Sequence, residues 1–233
     1  MNSTLMPRRA NRALALTASA LLVFGASCTD DPASVEPTTI EPTSSTEPVE
    51  PTSIPAPTPT WTDSASISSS LTDEEIAGLM WMREEEQLAH DVSVELGDLW
   101  DLRIFDNISS AETTHIEAVS GLLDLYGLYE PAAGNDIGTF TDPALQRLYD
   151  ELVEDGSRSL EAALEVGALI EELDIVDLVA RSAATDDPEI SAVYANLDRG
   201  SRNHLRAFYS QLDSRGVTYT PTQLDPATFD AIV

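Results

Sequence analysis

The chain has 233 residues and a formal net charge of −29, because 41 acidic side chains are balanced by only 12 basic ones, all of them Arg. This excess of acid argues against DNA, RNA and anionic lipid headgroups as partners, since each of them requires a basic protein face. The single Cys excludes an intramolecular disulfide, Cys-ligated zinc fingers and iron–sulfur clusters.

Residues 1–27 are predicted to be a lipoprotein signal peptide. Three Arg and no acid precede an apolar run from Ala13 to Ala26, which is typical of a secretory signal and shorter than a membrane span of about 20 residues. Gly25 to Cys28 then resembles a bacterial lipobox, in which the Cys becomes the lipidated N-terminus. We therefore expect a membrane anchor on Cys28 and an extracytoplasmic location on a bacterial cell membrane. The alternative is an ordinary secretory signal with an incidental Cys.

Residues 28–70 are predicted to be the lipidated Cys followed by a disordered linker. This segment is rich in Pro, Thr, Ser and Glu, and a short Glu-Pro-Thr unit recurs in it. It has no apolar periodicity from which a core could form. We interpret the linker as an extended, solvated tether.

Residues 71–233 are predicted to be a helical domain with no convincing strand. Helix A begins at a capping box formed by Thr72 and Glu75, and helix B ends at Gly127, with Leu128 as the apolar residue of a Schellman-type cap. Asp-Pro pairs mark the starts of later helices. The predicted helices are A over about 72–98, B from about 107–110 to 127, a short helix over 142–155, C over 159–184, D over 187–215, and a last turn from 225.

The order and spacing of these helices predict an all-α fold. The A–B and C–D links are short, whereas the B–C link is long and carries the short extra helix. This arrangement is typical of a ferritin-like four-helix bundle rather than of a simple up-down-up-down bundle.

Helix B contains a pair of residues that suits metal binding. Glu112 and His115 are three residues apart, so both side chains lie on one helix face about a turn apart. Ferritin-like di-iron proteins combine such pairs with a Glu from each of two other helices. In the alternative interpretation, Ser109 and Glu112 form a capping box and His115 is an ordinary interface histidine.

The other long helices each place an acid or an imidazole on an inward apolar stripe. Glu86 follows Leu79 and Met82 on helix A, Glu171 continues a stripe on helix C, and His204 does so on helix D. This convergence predicts a metal site.

Several assignments around this site remain open from the sequence. Glu172 is an alternative to Glu171, because the two lie on neighbouring stripes. At least one residue of the run 84–86 is expected to belong to a solvated acidic face. His90 is expected to be an exposed partner of neighbouring acids, with support of a metal ligand as the alternative.

Five segments resemble an uncharacterised prokaryotic family of domains of unknown function, number 2202, in the ferritin-like superfamily. The resemblance covers nearly all of residues 72–215 and implies a four-helix fold and a metal site, but no established activity. The segments are 79–89 (LMWMREEEQLA), 104–108 (IFDNI), 112–115 (ETTH), 167–175 (GALIEELDI) and 199–208 (RGSRNHLRAF).

The resemblance also implies a ligand pattern of Glu, Glu-x-x-His, Glu and Glu-x-x-His on successive helices. Glu86, Glu112 with His115, and Glu171 match the first three parts. The fourth part departs from the pattern, because Ser201 replaces its acid and only His204 remains. Asp174, one turn after Glu171, is the candidate for the missing oxygen ligand. Without it, the site would hold one metal, two metals asymmetrically, or none.

These features together predict a membrane-anchored, extracytoplasmic protein that binds one or two transition-metal ions. Iron is the first candidate, with Mn, Zn or Cu as alternatives. The implied chemistry is oxidation of ferrous iron by dioxygen or peroxide, or peroxide removal, which would make the protein a ferroxidase or peroxidase. The alternatives are a non-catalytic metal-binding module and an interaction module whose inward acids pair with His, or with Arg83, Arg202 and Arg206. The sequence identifies neither a protein partner nor an oligomeric state.

Overall fold

A computed structural model describes residues 71–233, and every regular element in this part of the chain is an α-helix. The all-α prediction is therefore confirmed. The predicted signal peptide, Cys28 and the linker lie outside the described residues. None of the described helices is long and apolar enough to cross a membrane. The helices are α1 (Asp73–Trp100), α2 (Arg103–Tyr126), α3 (Pro143–Gly156), α4 (Leu160–Ala184), α5 (Pro188–Ser214) and α6 (Pro226–Ile232).

The four long helices form a closed ring in which each contacts two others. Helix α1 contacts α2 and α4, and α5 contacts the same two helices from the other side. Neighbours in the ring are antiparallel, because residue numbers rise along one helix as they fall along the next. The paired positions are 83 with 120 and 86 with 115 for α1 and α2, 167 with 208 and 174 with 201 for α4 and α5, and 75 with 185 and 78 with 181 for α1 and α4.

The connection between α2 and α4 returns along the length of the bundle. Both helices are antiparallel to α1, so they point the same way and the end of one is far from the start of the other. The connecting residues lie beside α1, and α3 contacts both α1 and α4. Polar contacts hold the connection, in order along α1: Arg83 Nε to Glu130 Oε1 at 2.6 Å, Gly138 N to Asp91 Oδ2 at 2.8 Å, and Trp100 Nε1 to Gly156 O at 3.0 Å.

The burial of residues 84–86 overturns the prediction of a solvated acidic face there. Glu84, Glu85 and Glu86 are only 3%, 6% and 1% exposed. Glu84 accepts hydrogen bonds from the backbone amides just before α3, including that of Asp142 at 3.0 Å. Glu85 accepts one from Trp81 Nε1 at 3.0 Å, and Glu86 contacts α2 across the bundle. All three acids are therefore buried, and each has a polar partner.

Helix α2 begins several residues before the predicted start. Its N-cap residue, Leu102, supplies no side-chain hydrogen bond. Packing accounts for the early start, because Phe105 is 1% exposed and its ring lies 5.7 Å from that of Phe208. Ser109 consequently lies inside the helix and donates to the carbonyl oxygen of Asp106. The alternative in which Glu112 only completes a capping box is therefore wrong.

The other predicted helix ends agree with the structure. Gly127 has a φ of 65°, and Leu128 N donates to Leu123 O at 2.8 Å, as expected for a Schellman-type end. Each Asp-Pro pair starts a helix, with the Asp side chain accepting from the first-turn amides. The three capping residues are Asp142, Asp187 and Asp225.

A polar layer divides the core of the bundle into two apolar clusters. One cluster includes Leu79, Met82 and Leu197, and the other includes Ala89 and Leu205. Along α1 and α5 the acidic and imidazole side chains stand between these two clusters. The fold therefore buries these polar groups at mid-length, where water cannot readily solvate them.

Candidate metal centre

The six predicted ligands come together in the polar layer. They arrive from all four long helices: Glu86 from α1, Glu112 and His115 from α2, Glu171 and Asp174 from α4, and His204 from α5. The four acids are between 1% and 4% exposed. The side chains of His115 and His204 are 13% and 11% exposed.

Five of these residues form two groups with the spacing of metal ligands. One group is Glu86, Glu112 and His115, and the other is Glu112, Glu171 and His204. Within each group, one potential ligand atom from each residue lies within 4.8 Å of the others. Glu112 belongs to both groups, whereas Asp174 belongs to neither. The shared carboxylate therefore links two adjacent candidate ion positions.

Both histidines direct Nδ1 at the shared carboxylate. His115 Nδ1 lies 2.7 Å from Glu112 Oε2 and 3.1 Å from Glu86 Oε2. His204 Nδ1 lies 2.7 Å from Glu112 Oε1 and 3.5 Å from Glu171 Oε2. The imidazole rings stack, with their centroids 5.4 Å apart and their planes 25° apart. Each oxygen of Glu112 thus faces a different histidine.

Four buried atoms at this centre have no hydrogen-bond partner among the described residues. They are Glu86 Oε1, Glu112 Oε1, Asp174 Oδ1 and His204 Nδ1. The approach of Glu112 Oε1 to His204 Nδ1 is short but lacks hydrogen-bond geometry. Unpaired buried polar atoms are costly, at about 1–3 kcal/mol each. A cation that accepts their lone pairs would remove this cost, so the donor set fits a metal.

No arginine considered as a partner neutralises the cluster. Arg83 bonds to Glu130, Arg202 to Asp198, and Arg206 to the carbonyl oxygen of Ile232. The four clustered carboxylates therefore depend on protons, on the two histidines or on a cation for charge compensation. Two divalent ions would offset the combined charge of four ionised carboxylates when both imidazoles are neutral.

The pKa values in the metal-free centre reflect this competition for charge. Burial raises the pKa of Glu86 to about 8 and that of Glu171 to about 7. Burial also opposes ionisation of Glu112, but the close contacts and positive charges of both histidines outweigh it and lower its pKa to about 2. Burial disfavours the charged imidazoles, yet their acidic neighbours raise the pKa of His115 to about 11 and that of His204 to about 10. A metal would have to displace these protons.

The structure separates the roles of Glu171 and Glu172. Glu171 faces His204 in the polar layer, whereas Glu172 points toward the C-terminal segment. Glu172 accepts hydrogen bonds from Tyr219 Oη at 2.5 Å and from the amide of Leu224 at 2.8 Å, and also from the amides of residues 222 and 223. With its oxygens occupied in this way, Glu172 is not available to the cluster.

His90 lies outside the cluster, as its predicted role as a partner of acids requires. Its Nδ1 is 2.8 Å from Asp91 Oδ1, and its side chain is 22% exposed. The expected acidic partner is therefore present, although the imidazole is half-buried rather than fully exposed. No metal group among residues 71–233 includes it.

Gly200 and Ser201 have structural roles at the centre that the sequence did not reveal. A Cβ atom at Gly200 would lie 2.4 Å from His115 Nε2, so the absence of a side chain makes room for that ring. Ser201 is 1% exposed, and its hydroxyl donates to Asp174 Oδ2. A glycine inside a helix signals a close approach, but the sequence does not reveal which side chain approaches.

Comparisons with known proteins identify relatives without a known activity. The model of an uncharacterised protein domain, DUF2202, matches residues 75–233. The uncharacterised protein MJ0754 of Methanocaldococcus jannaschii is 45% identical over 163 residues, which cover 70% of this chain and 88% of the relative. The crystal structure of the hypothetical protein MJ0754 from Methanococcus jannaschii is similar with a TM-score of 0.69 at 45% identity. That match covers 70% of this chain and 93% of the solved chain.

Proposed function

The chain belongs to the uncharacterised DUF2202 domain family, and from this membership and its buried Glu–His centre we propose that it is a ferritin-like protein that binds two divalent transition-metal ions. The sharing of Glu112 between two ligand groups carries the proposal. A carboxylate with one oxygen toward each ion position is the arrangement that a two-ion site requires. The unpaired atoms at the same centre support an ion in each position.

The ferritin-like assignment is supported by topology and by the origin of the ligands. In such bundles the second and third long helices are joined by a long crossover, and facing helices all contribute inward acids and histidines. Here the connection between α2 and α4 returns along the bundle, and each of the four long helices supplies at least one member of the cluster.

Iron is the preferred ion, because mixed carboxylate and imidazole ligands suit iron or manganese, whereas copper(I) prefers soft ligands. Bound iron would supply the capacity to oxidise ferrous iron with dioxygen or to reduce peroxide. The histidines would fix the ion positions through Nδ1, and the acids would offset the charge. Apolar side chains above and below the layer, such as Met82 and Leu205, would exclude bulk water.

The test of this proposal is elemental analysis of the full chain, purified without a histidine tag and loaded anaerobically with ferrous iron. We expect two irons per chain in the wild type and a loss of at least one in His115→Ala. His90→Ala is the matched control, because it removes a half-buried imidazole outside the cluster and should keep both irons. Failure of the wild type to bind iron, manganese, zinc or copper above background would refute the metal-binding function.

We also propose that the protein is displayed outside the cytoplasm on a lipid attached to Cys28, with residues 29–70 as the tether. The apolar run and the lipobox-like segment before the Cys support this location. Expression of the wild type and Cys28→Ala in a bacterial host tests it. The wild type should fractionate with membranes and carry a lipid by mass spectrometry, whereas Cys28→Ala should lose both properties. Wild-type protein without lipid would contradict the anchor.

A second candidate function is an interaction module without metal. The contacts of both histidines with Glu112 favour it, because they offset part of the buried charge without an ion. The same elemental analysis separates the two functions. An interaction module should retain its fold with no bound metal, and added metal should leave its unfolding temperature unchanged.

A further inference from the structure

Ser201 and Asp174 form a hydrogen-bonded pair inside the centre. The two residues join α5 to α4 inside the polar layer, and they are only 1% and 4% exposed. The Ser201 hydroxyl donates to Asp174 Oδ2 and also lies 3.0 Å from the carbonyl oxygen of Leu197, one turn earlier on α5. The backbone contact and the carboxylate contact together hold the hydroxyl in one orientation.

The other oxygen of Asp174 is unused by the protein. Asp174 Oδ1 is fully buried and has no hydrogen-bond partner among residues 71–233. Asp174 lies one turn beyond Glu171 on α4, and Ser201 lies one turn before His204 on α5, so the hydrogen-bonded pair adjoins these two candidate ligands. Asp174 therefore has one oxygen bonded to Ser201 and one buried oxygen without a partner among the described residues.

Building on the proposed two-ion function, we propose that Ser201 is a positioning residue that holds Asp174 so that its free Oδ1 serves as a further oxygen ligand of the centre. Glu112 belongs to the polar layer from α2, and Asp174 belongs to it from α4. The single proton of Ser201 is engaged by two acceptors, Asp174 Oδ2 and the carbonyl oxygen of Leu197, so the hydroxyl acts as a donor that orients the carboxylate. Asp174 Oδ1 has no hydrogen-bond partner among the described residues, and without an ion it would remain an unpaired buried polar atom that destabilises the fold.

A purely structural role for the pair would leave metal binding unchanged when the hydrogen bond is removed. A positioning role instead predicts a loss of affinity that depends on Asp174. Groups that orient metal ligands typically contribute about 10- to 100-fold in affinity. The two roles are therefore separated by a measurement of binding rather than of folding.

The experiment titrates the full chain with cobalt(II), follows the visible absorption of bound cobalt, and counts bound ions by elemental analysis. The variants are Ser201→Ala, Asp174→Asn and the double variant. Ser93→Ala is the matched control, because Ser93 is 5% exposed on α1, two helical turns beyond Glu86. Circular dichroism checks that each variant is folded, and Asp174→Asn preserves side-chain volume if Ser201→Ala fails to fold.

We expect the wild type and Ser93→Ala to bind two cobalt ions. Ser201→Ala should weaken at least one ion by about tenfold or more. Asp174→Asn should weaken it at least as much, and the double variant should bind no more weakly than Asp174→Asn. Wild-type affinity for both ions in Ser201→Ala or in Asp174→Asn would overturn the inference while leaving the two-ion function intact. Additive losses in the double variant would also overturn it. A wild type that binds no ion would overturn both proposals.

Discussion

The contact between Gly200 and His115 yields a sharp prediction about the metal centre. A Cβ atom at position 200 would lie 2.4 Å from His115 Nε2 and 2.5 Å from its Cε1. Ordinary contact requires roughly 3.5 Å, so in Gly200→Ala the imidazole or α5 must retreat by about 1 Å. Overpacking of this kind costs about 1–3 kcal/mol. The gain in helix propensity from Gly to Ala offsets about 1 kcal/mol of that cost.

Gly121→Ala is the matched control, because Gly121 lies inside α2 and a Cβ there would meet no atom within 4 Å. We expect it to be neutral or up to about 1 kcal/mol more stable than wild type. Gly200→Ala should be about 1–3 kcal/mol less stable than Gly121→Ala. Urea unfolding, followed by circular dichroism, measures both variants in the metal-free protein.

The displacement should also impair metal binding, because a ligand moved by about 1 Å no longer reaches an ion held by its neighbours. Gly200→Ala should therefore lose iron stoichiometry as His115→Ala does, whereas Gly121→Ala should not. If Gly200→Ala matched Gly121→Ala in both stability and iron content, the close approach of His115 to α5 would not be what positions the ring. That result would refute the reasoning.

Three further predictions concern protons and two buried acids. The pKa values of the cluster histidines are raised to about 11 and about 10 by their acidic neighbours despite burial, so both are protonated at pH 7. Metal binding should therefore release protons and strengthen from pH 6 to pH 8. Calorimetry in buffers of different ionisation enthalpy measures this release, and binding without proton release would contradict the prediction. Glu172→Ala should destabilise the protein by about 3 kcal/mol and speed hydrogen exchange at the amide of Leu224, with unchanged exchange as the contrary result. Glu84→Ala should speed exchange at the Thr141 amide while metal stoichiometry stays at the wild-type value; protection equal to wild type would show that this carboxylate does not hold the connection.

Much of the fold follows from local signals in the sequence. The capping box at Thr72, the Asp-Pro pairs and the glycine end at Gly127 act within one helical turn, so they locate helix ends without knowledge of the rest of the chain. No such local signal marks the start of α2. It depends on Phe105, whose partner Phe208 is about a hundred residues away in sequence.

The residues of the candidate centre could likewise be predicted only in part from the sequence. Helical periodicity by itself placed Glu86, Glu112 with His115, and His204 on inward stripes, because side chains three or four residues apart share a face. It could not choose between Glu171 and Glu172, which are adjacent and differ by only about 100° around the helix. The C-terminal segment decided between them by binding Glu172 through several hydrogen bonds.

The tertiary structure alone determined which residues cover each helix face and which buried polar atoms remain without a hydrogen-bond partner. Within the run of three acids at 84–86, Glu84 is covered by the connection to α4 and Glu86 by α2, and no local sequence pattern shows where a connection or a neighbouring helix will lie. The approach of His115 to Gly200 and the bond between Ser201 and Asp174 likewise join different helices. Periodicity is a property of one helix and is written in a few neighbouring residues. Burial, pairing and ligand geometry depend on several helices meeting, and that meeting is decided by the packing of the whole bundle.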